Sequence, residues 1–406
     1  MHRVLSCVML AFSIQALHAA EKLTLEQALE LADSNHPQLQ AGSAAVDVAK
    51  AGIRTARAYP NPELNFLTGR GTGPTPLAPA QLYEFIQPLE LGALRGKRVD
   101  LALRGRDSSE YSLEELRLMV RSRVRRSFYE VLRRQAEIAV AAENLKLVQD
   151  LRARVKVRVD VGESGRLELI RAEAEEAVAR TAANRAQLEL ITALNQFRAA
   201  VGGGLGTDIE LEGKLDPPLS LPSLGEVRQQ ALDRHPSLAL ARAEVRRADA
   251  RVEYEVALRR PQPNFRTEYD QTNPSFRFGV GIPLPFWNQR EGQIAEAKAG
   301  RRQIDSLARA RENELLSALD GAYGRYAVAA QQVAVYEQGL LQEAQGALTA
   351  AEAAFQLGER GILEVLDAQR VLRTIRVDYL NAQYDRQSAL VDVDELRAAD
   401  LRSNKP

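Results

Sequence analysis

The chain repeats itself, and that repeat limits the folds open to it more than any single motif does. The segment LTLEQALELADSNHPQLQAGSAAVDVAKAGIRTARAYPNPELNF, starting at Leu23, aligns without a gap to SLGEVRQQALDRHPSLALARAEVRRADARVEYEVALRRPQPNF, starting at Ser223. At an offset of 199, Ala32 pairs with Ala231, His36 with His235, Pro37 with Pro236, Val46 with Val245, Pro62 with Pro261, Asn65 with Asn264 and Phe66 with Phe265. Further on, an offset of 195 pairs Pro88 with Pro283, Arg95 with Arg290, Gly105 with Gly300 and Arg106 with Arg301. An offset of 196 then pairs Gly162, Glu163, Gly165, Leu167, Glu168 and Ala172 with Gly358, Glu359, Gly361, Leu363, Glu364 and Ala368. A duplication on this scale demands an architecture of two quasi-equivalent halves, 21–220 and 221–406, joined through a Gly-rich linker at 202–221.

Each half has the same internal order. A His-Pro pair sets proline at a helix start, where its missing N–H costs nothing, and later prolines end that helix. Extended segments follow, as strand pairs at 62–91 and 263–286. In NFRTEYD, Phe265, Thr267 and Tyr269 share one face while Arg266, Glu268 and Asp270 share the other; in SFRFGVGI, Phe276, Phe278, Val280 and Ile282 alternate with polar or small residues. Period two with one apolar face is a strand signal. Two isolated hairpins in a helical protein would be marginal, whereas a transmembrane barrel uses such strands at lengths of about 9 to 11 residues. The first copy, roughly Pro62 to Gly69 and Leu82 to Leu91, alternates less cleanly, and its GRGTGPTPLAPA reads as a surface turn.

Beyond the strands each half runs about 65 residues without proline, a helix of about 100 Å. Val333, Tyr336, Leu340, Ala344, Ala347, Ala351 and Ala354 fall three and four apart, a coiled-coil seam with close Ala packing. The glycines of VGESGRLE and LGERGILE end one helix and turn the chain into the next. These are the tips of two helical hairpins, at 162–165 and 358–361.

Lys plus Arg and Asp plus Glu both number 54, so no net charge points to a nucleic-acid partner. The opening MHRVLSCVMLAFSIQALHAA reads as a secretory signal peptide over 1–20, with Cys7 inside it, leaving a mature chain without cysteine. No later apolar run reaches the ~18 residues of a spanning helix, so any membrane insertion must use strands. His36 and His235 read as helix-start residues, and no histidine or cysteine cluster has zinc or copper spacing. VGGGLGTD at 201–208 lacks the Lys-Ser/Thr of a phosphate loop and is linker. No nucleophile and base arrangement is present, so neither enzyme activity nor a cofactor is expected.

Leader, duplicated halves, YPNPELNF, QPLELGALRGK with IPLPFWNQREG and the paired tips together resemble the TolC-like outer-membrane efflux factors, most of all their cobalt-zinc-cadmium branch. The resemblance spans essentially the whole mature chain. It implies a mainly α protein with a small β part: a homotrimer whose chains share a 12-stranded transmembrane β-barrel in outer-membrane lipid, continued by a long α-helical coiled-coil tunnel through the periplasm. The implied role is the exit duct of a tripartite efflux system, docked to a periplasmic adaptor (membrane fusion) protein and an inner-membrane RND-type pump, with heavy-metal cations or other small toxic compounds as cargo. A periplasmic adaptor or coiled-coil scaffold is the alternative, although an adaptor should carry one central hairpin flanked by β-rich domains.

The resemblance also assigns the tips. Glu168 and Glu364 match acids after the turn glycines, Asp367 a second acid, and Arg360 an arginine that holds the tunnel end shut. In a trimer Glu364 and Asp367 would each form a ring of three charges favouring cations; read without the resemblance, they are solvated coiled-coil charges. Phe355 stands where a tyrosine hydroxyl is expected and Leu167 where a hydrogen-bonding side chain is, so this tip lacks some bonds of the family's closed state. Arg360 is expected to pair with Glu168 or Asp367 on a neighbouring helix, and Gly162, Gly165, Gly358 and Gly361 to form the turns and meet the adaptor.

Overall fold

The computed structural model describes residues 21–69, 80–90, 92–206, 209–215 and 221–399. The leader, most of GRGTGPTPLAPA, Leu91 and part of the 202–221 linker lie outside the described residues. The described chain forms two compact units. One draws on residues up to Ser34, Val124–Pro217 and Gln342–Leu380; the other on Asn35–Arg123, Pro218–Leu341 and the chain from Asn381 on. Neither unit is one repeat. Each takes residues from both, because the repeats pair with one another.

Strand β1 (Glu21–Leu23) opens the chain, followed by helices α1 (Leu25–Asn35) and α2 (Pro37–Arg57). Their second-copy counterparts are α5 (Leu224–Arg234) and α6 (Pro236–Ala257). The starts are duplicated in detail. Thr24 and Gln27 exchange side-chain and backbone hydrogen bonds as a capping box, and so do Ser223 and Glu226, 199 residues later. The next start is capped by histidine: His36 Nδ1 accepts from the Gln38 amide and His235 Nδ1 from the Ser237 amide, each at 3.2 Å, with proline at the first helical position.

The extended segments are β2 (Glu63–Gly69), β3 (Ala80–Pro88), β5 (Asn264–Asp270) and β6 (Ser275–Gly281). They form one antiparallel sheet in the order β2-β3-β5-β6, so the two copies meet at the β3–β5 ladder, with Tyr83 opposite Tyr269. Three of these strands have seven residues, shorter than the expected 9 to 11, and β3 has nine. Two causes are visible. Prolines 60, 62, 88, 261, 263 and 283 remove ladder donors at the helix-proximal end. At the other end Asp270 Oδ1 accepts from the Thr272 and Asn273 amides at 2.9 and 3.1 Å and turns the chain.

After β3 comes α3 (Leu94–Asp160), a single helix of 67 residues, and then α4 (Arg166–Val201). Alanines 172, 179, 186, 193 and 200 recur every seven residues along α4, and all are buried. A strict heptad of the smallest apolar side chain lets two helices approach closely along a left-handed supercoil. In the same unit Phe128 of α3 meets Phe197 of α4 at 6.0 Å, and Leu151 and Val155 pack with Ala172. The linker carries β4 (Ile209–Leu211), which pairs in parallel with β1, an element the sequence did not signal.

The second copy departs from the expected unbroken helix. It runs as α7 (Glu291–Val335), a π-helical turn at Tyr336–Leu340, α8 (Leu341–Gln356) and α9 (Ile362–Leu396). Gly339 holds φ 157° inside the turn, and the Leu341 amide bonds to the Tyr336 carbonyl. This wider turn advances the helical phase. Beyond it the buried line runs through Ala344, Leu348 and Phe355, while Ala347 of the predicted seam is exposed.

Candidate functional site

Two features stand out, and the first is the pair of hairpin tips. Both turns are Schellman motifs. Glu163 and Gly162 amides bond back to the Arg158 and Val159 carbonyls at 2.8 and 3.1 Å; Glu359 and Gly358 do the same to Ala354 and Phe355 at 2.9 and 3.1 Å. Gly162 and Gly358 hold the left-handed φ of 82° and 75° this requires. Gly165 and Gly361 do not: Gly165 is an extended N-cap at φ −77°, and Gly361 has an ordinary negative φ. Gly361 instead marks where acids meet, since a Cβ there would lie 3.6 Å from a Glu364 carboxylate oxygen and 3.7 Å from one of Glu168.

Arg360 reaches Glu364, four residues along its own chain, at 3.9 Å. Arg360 lies in the turn just before α9, so this contact joins a turn residue to the first turn of the helix. Both partners are well exposed, so the pair contributes little stability. Asp367 is exposed one turn further on, and its charge adds to the Glu175 contact in raising the Arg370 pKa. Phe355 faces inward. It is 4% exposed, packed with Leu151, Val155, Ile362 and Leu366, and the Arg158 guanidinium lies 4.9 Å over its ring while Nη1 donates to the Phe355 carbonyl at 3.0 Å.

Three residues of this region escaped the sequence reading: Arg158, Glu175 and Arg370. Glu175 lies beside the alanine stripe of α4, between Ala172 and Ala179, and is 5% exposed. Arg370 of α9 donates Nε and Nη2 to its Oε2 at 3.1 and 2.5 Å, tying one hairpin to the other. The contact raises the Arg370 pKa, first through the hydrogen bond and then through the Glu175 charge. The heptad equivalents of Glu175 are Ala182, Glu189 and Gln196, so the repeat gives no sign of its burial, and a buried acid needs the partner that Arg370 supplies.

The second feature is the sheet. The ladder sorts side chains into two faces. One carries Leu64, Phe66, Tyr83, Phe85, Phe265, Thr267, Tyr269, Phe276, Phe278 and Val280, with Phe66, Tyr83, Tyr269 and Phe276 forming a row in register across all four strands at ring separations of 5.0, 6.2 and 4.9 Å. Phe276, Phe278 and Val280 are 67%, 71% and 61% exposed, so this apolar face is uncovered within the chain. The other face carries the ion pairs, with Leu67, Leu82 and Ile86 among them. Arg266 meets Glu84 at 3.0 Å across β3–β5, Arg277 meets Glu268 at 3.1 Å and Asp270 at 3.6 Å across β5–β6, and Asn65 donates to Glu84 at 3.2 Å. With Glu63 it holds four acids against two bases. Both edge strands, β2 and β6, have a free side.

Between α2, α3, α6 and α7, in the unit that holds the sheet, lies a cavity of about 1160 Å³ lined by small residues such as Gly52, Ala102 and Gly300 and by Arg247, Glu244 and Glu296. Among the described residues no group of His, Cys, Asp or Glu is placed to hold a metal ion, and no helix is long and apolar enough to cross a membrane. His235 is buried, and burial followed by the charge of Arg311 lowers its pKa to about 4, while burial and then Arg123 lower that of His36.

Comparison with known proteins agrees in sequence and in fold. The family profile described as "Outer membrane efflux protein" matches residues 28–203 and 227–398. The cobalt-zinc-cadmium resistance protein CzcC of Cupriavidus metallidurans is 30% identical over 384 residues, 93% of this chain and 90% of that protein. Among solved structures, CusC superposes with a TM-score of 0.78 at 19% identity, covering 92% of this chain and 91% of its own. The Campylobacter jejuni outer membrane channel CmeC gives 0.78 at 14% identity, covering 94% and 87%.

Proposed function

The chain belongs to the outer membrane efflux protein family, and from that premise we propose that three copies close one 12-stranded barrel in the outer membrane and form the exit duct of a tripartite exporter of heavy-metal cations. The observation that carries this is the sheet. Four strands with an uncovered apolar face, an ion-paired opposite face and two free edges cannot stand alone in lipid, where every unpaired backbone group costs several kcal/mol. Pairing β2 of one chain with β6 of the next removes the edges, turns the apolar face to lipid and leaves the ionic face on the channel.

The acids on that inner face, and those gathered at Gly361 near the tip, suit a cationic cargo. Cargo moves through without reaction, and the energy comes from an inner-membrane RND-type pump reached through a periplasmic adaptor at the tips. Gly162, Gly165, Gly358 and Gly361 lie on that docking end, and Glu168, Arg360, Glu364 and Asp367 surround its opening. The metal assignment rests on the named resistance relative. Cells lacking this chain should lose tolerance to cobalt, zinc or cadmium and regain it with the full chain; unchanged tolerance to all three would remove metal cations as cargo.

A further inference from the structure

We propose that the segment Ile282–Trp287 is a membrane anchor that enters the phospholipid headgroup layer on the helix-proximal side of the barrel, an inference that rests on the barrel reading above. The residues are unusual for a connecting loop. Ile282, Leu284, Phe286 and Trp287 are 57%, 60%, 70% and 96% exposed, between the end of β6 at Gly281 and the start of α7 at Glu291. No other part of the described chain exposes four large apolar side chains within six residues. Ile282 continues the period-two pattern of Phe276, Phe278 and Val280, so the segment prolongs the sheet's apolar face.

Depth decides the argument. From Phe276 in the aromatic row to Gly281 is five steps, about 17 Å along the strand at ~3.3 Å each, or about 12 Å of depth at a tilt of ~45°. A barrel's apolar band is ~25 Å tall and bounded by aromatic girdles at both interfaces. On the side away from the helices the face turns polar at Thr68 and Gln81. The band must therefore extend toward the helices, and Ile282–Trp287 carries it on by less than the ~14 Å of a fully extended stretch, since the Phe286 amide bonds back to the Leu284 carbonyl at 2.9 Å. Phe66, Tyr83, Tyr269 and Phe276 then form one girdle, and Phe286 and Trp287, edge to face at 6.2 Å, belong to the other.

Charge at this level fits anionic phosphates. Arg259, exposed, donates to Gln289 at 2.6 Å beside the loop, and in the first copy Arg95 lies 4.4 Å over the ring of Tyr59, which is 67% exposed at the matching helix-to-strand junction. An exposed aromatic ring beside a guanidinium is the arrangement that settles at a membrane interface, ring in the acyl boundary and cation at the phosphates.

Trp287 is the only tryptophan of the chain, so the unmodified full-length protein reports on itself. The protein is reconstituted into phospholipid vesicles, and flotation and ion conductance establish insertion independently. Its emission is then compared in vesicles whose lipids are brominated near the headgroup, brominated near the chain end, or unbrominated. Headgroup-proximal bromine should reduce emission about twofold or more, and chain-end bromine less, because an interfacial indole is close only to the former. If the protein floats and conducts but neither lipid quenches Trp287, the anchor is overturned while the channel stands. Iodide then tells whether water (quenching) or a second copy (no quenching) surrounds the ring. If the protein neither floats nor conducts, anchor and channel reading fall together.

Discussion

Replacing Arg370 with alanine should loosen the contact between the two hairpins near the tip. Arg370 is the guanidinium that meets Glu175, whose side chain is 6% exposed, while Arg370 itself is 51% exposed. Stripping the partner from a fully buried carboxylate costs roughly 3–5 kcal/mol. Here water reaches the site through the half-exposed arginine, so screening reduces the figure to about 2 kcal/mol. Arg370→Ala should lower stability by that amount, Glu175→Gln by about 1 kcal/mol since the amide keeps an acceptor, and the double variant by less than the sum of the two. If the contact exists only while the tip is closed, about 2 kcal/mol also shifts the closed-to-open equilibrium about 30-fold toward open. The assay pairs denaturant unfolding in detergent with single-channel recording in planar bilayers. Changes below about 0.5 kcal/mol, with strictly additive variants, would show that Glu175 does not depend on Arg370 and refute the reasoning.

The turn glycines separate by backbone geometry. Gly358→Ala, at φ 75°, should cost about 1 kcal/mol or more, whereas Gly361→Ala should be neutral within about 0.5 kcal/mol; equal effects in thermal unfolding would contradict the turn assignment. Acid should weaken the fold through His235, whose folded pKa of about 4 lies below the ordinary value of 6.5. The neutral ring is the folded form, so stability is full above pH 6.5 and falls as pH drops toward 4, by about 2 kcal/mol at pH 5. His235→Asn keeps an acceptor for the Ser237 amide and should flatten that dependence in melting curves taken from pH 7 to 4.5. On the ionic face of the sheet, Glu84→Gln with Glu268→Gln should reduce the cation-to-anion permeability ratio by about twofold or more in reversal-potential measurements, and an unchanged ratio would place that face away from the channel.

Much of this architecture was readable because duplication shows the same physical device twice. The His-Pro starts and the turn glycines are local motifs, and each appears at a fixed offset. The period-two alternation of Phe276, Phe278 and Val280 places these residues on one face, as the β5–β6 ladder does. What escaped depends on distance or phase. The β1–β4 pair joins Leu23 to Leu211 through three-residue strands too short to carry a pattern. Past Ala344 the buried seam steps by four to Leu348 and not by three to Ala347, a choice between two helical spacings that heptad counting leaves open. The Glu175–Arg370 and Arg158–Phe355 contacts join separate hairpins, and the duplication is silent there because Arg158 aligns with Ala354 and Glu175 with Val371.

The central claim, closure of β2 of one chain against β6 of the next, is tested most directly by thiol cross-linking of those edges. The described residues contain no cysteine, so Leu67→Cys and Ser275→Cys introduced together place one thiol on each free edge, in one register row and on the same face of the sheet. After treatment of outer membranes with a short bifunctional reagent, the account predicts cross-linked products of two and three chains and nothing larger, because three copies close the ring. Monomer alone, or a ladder continuing past three, would contradict it.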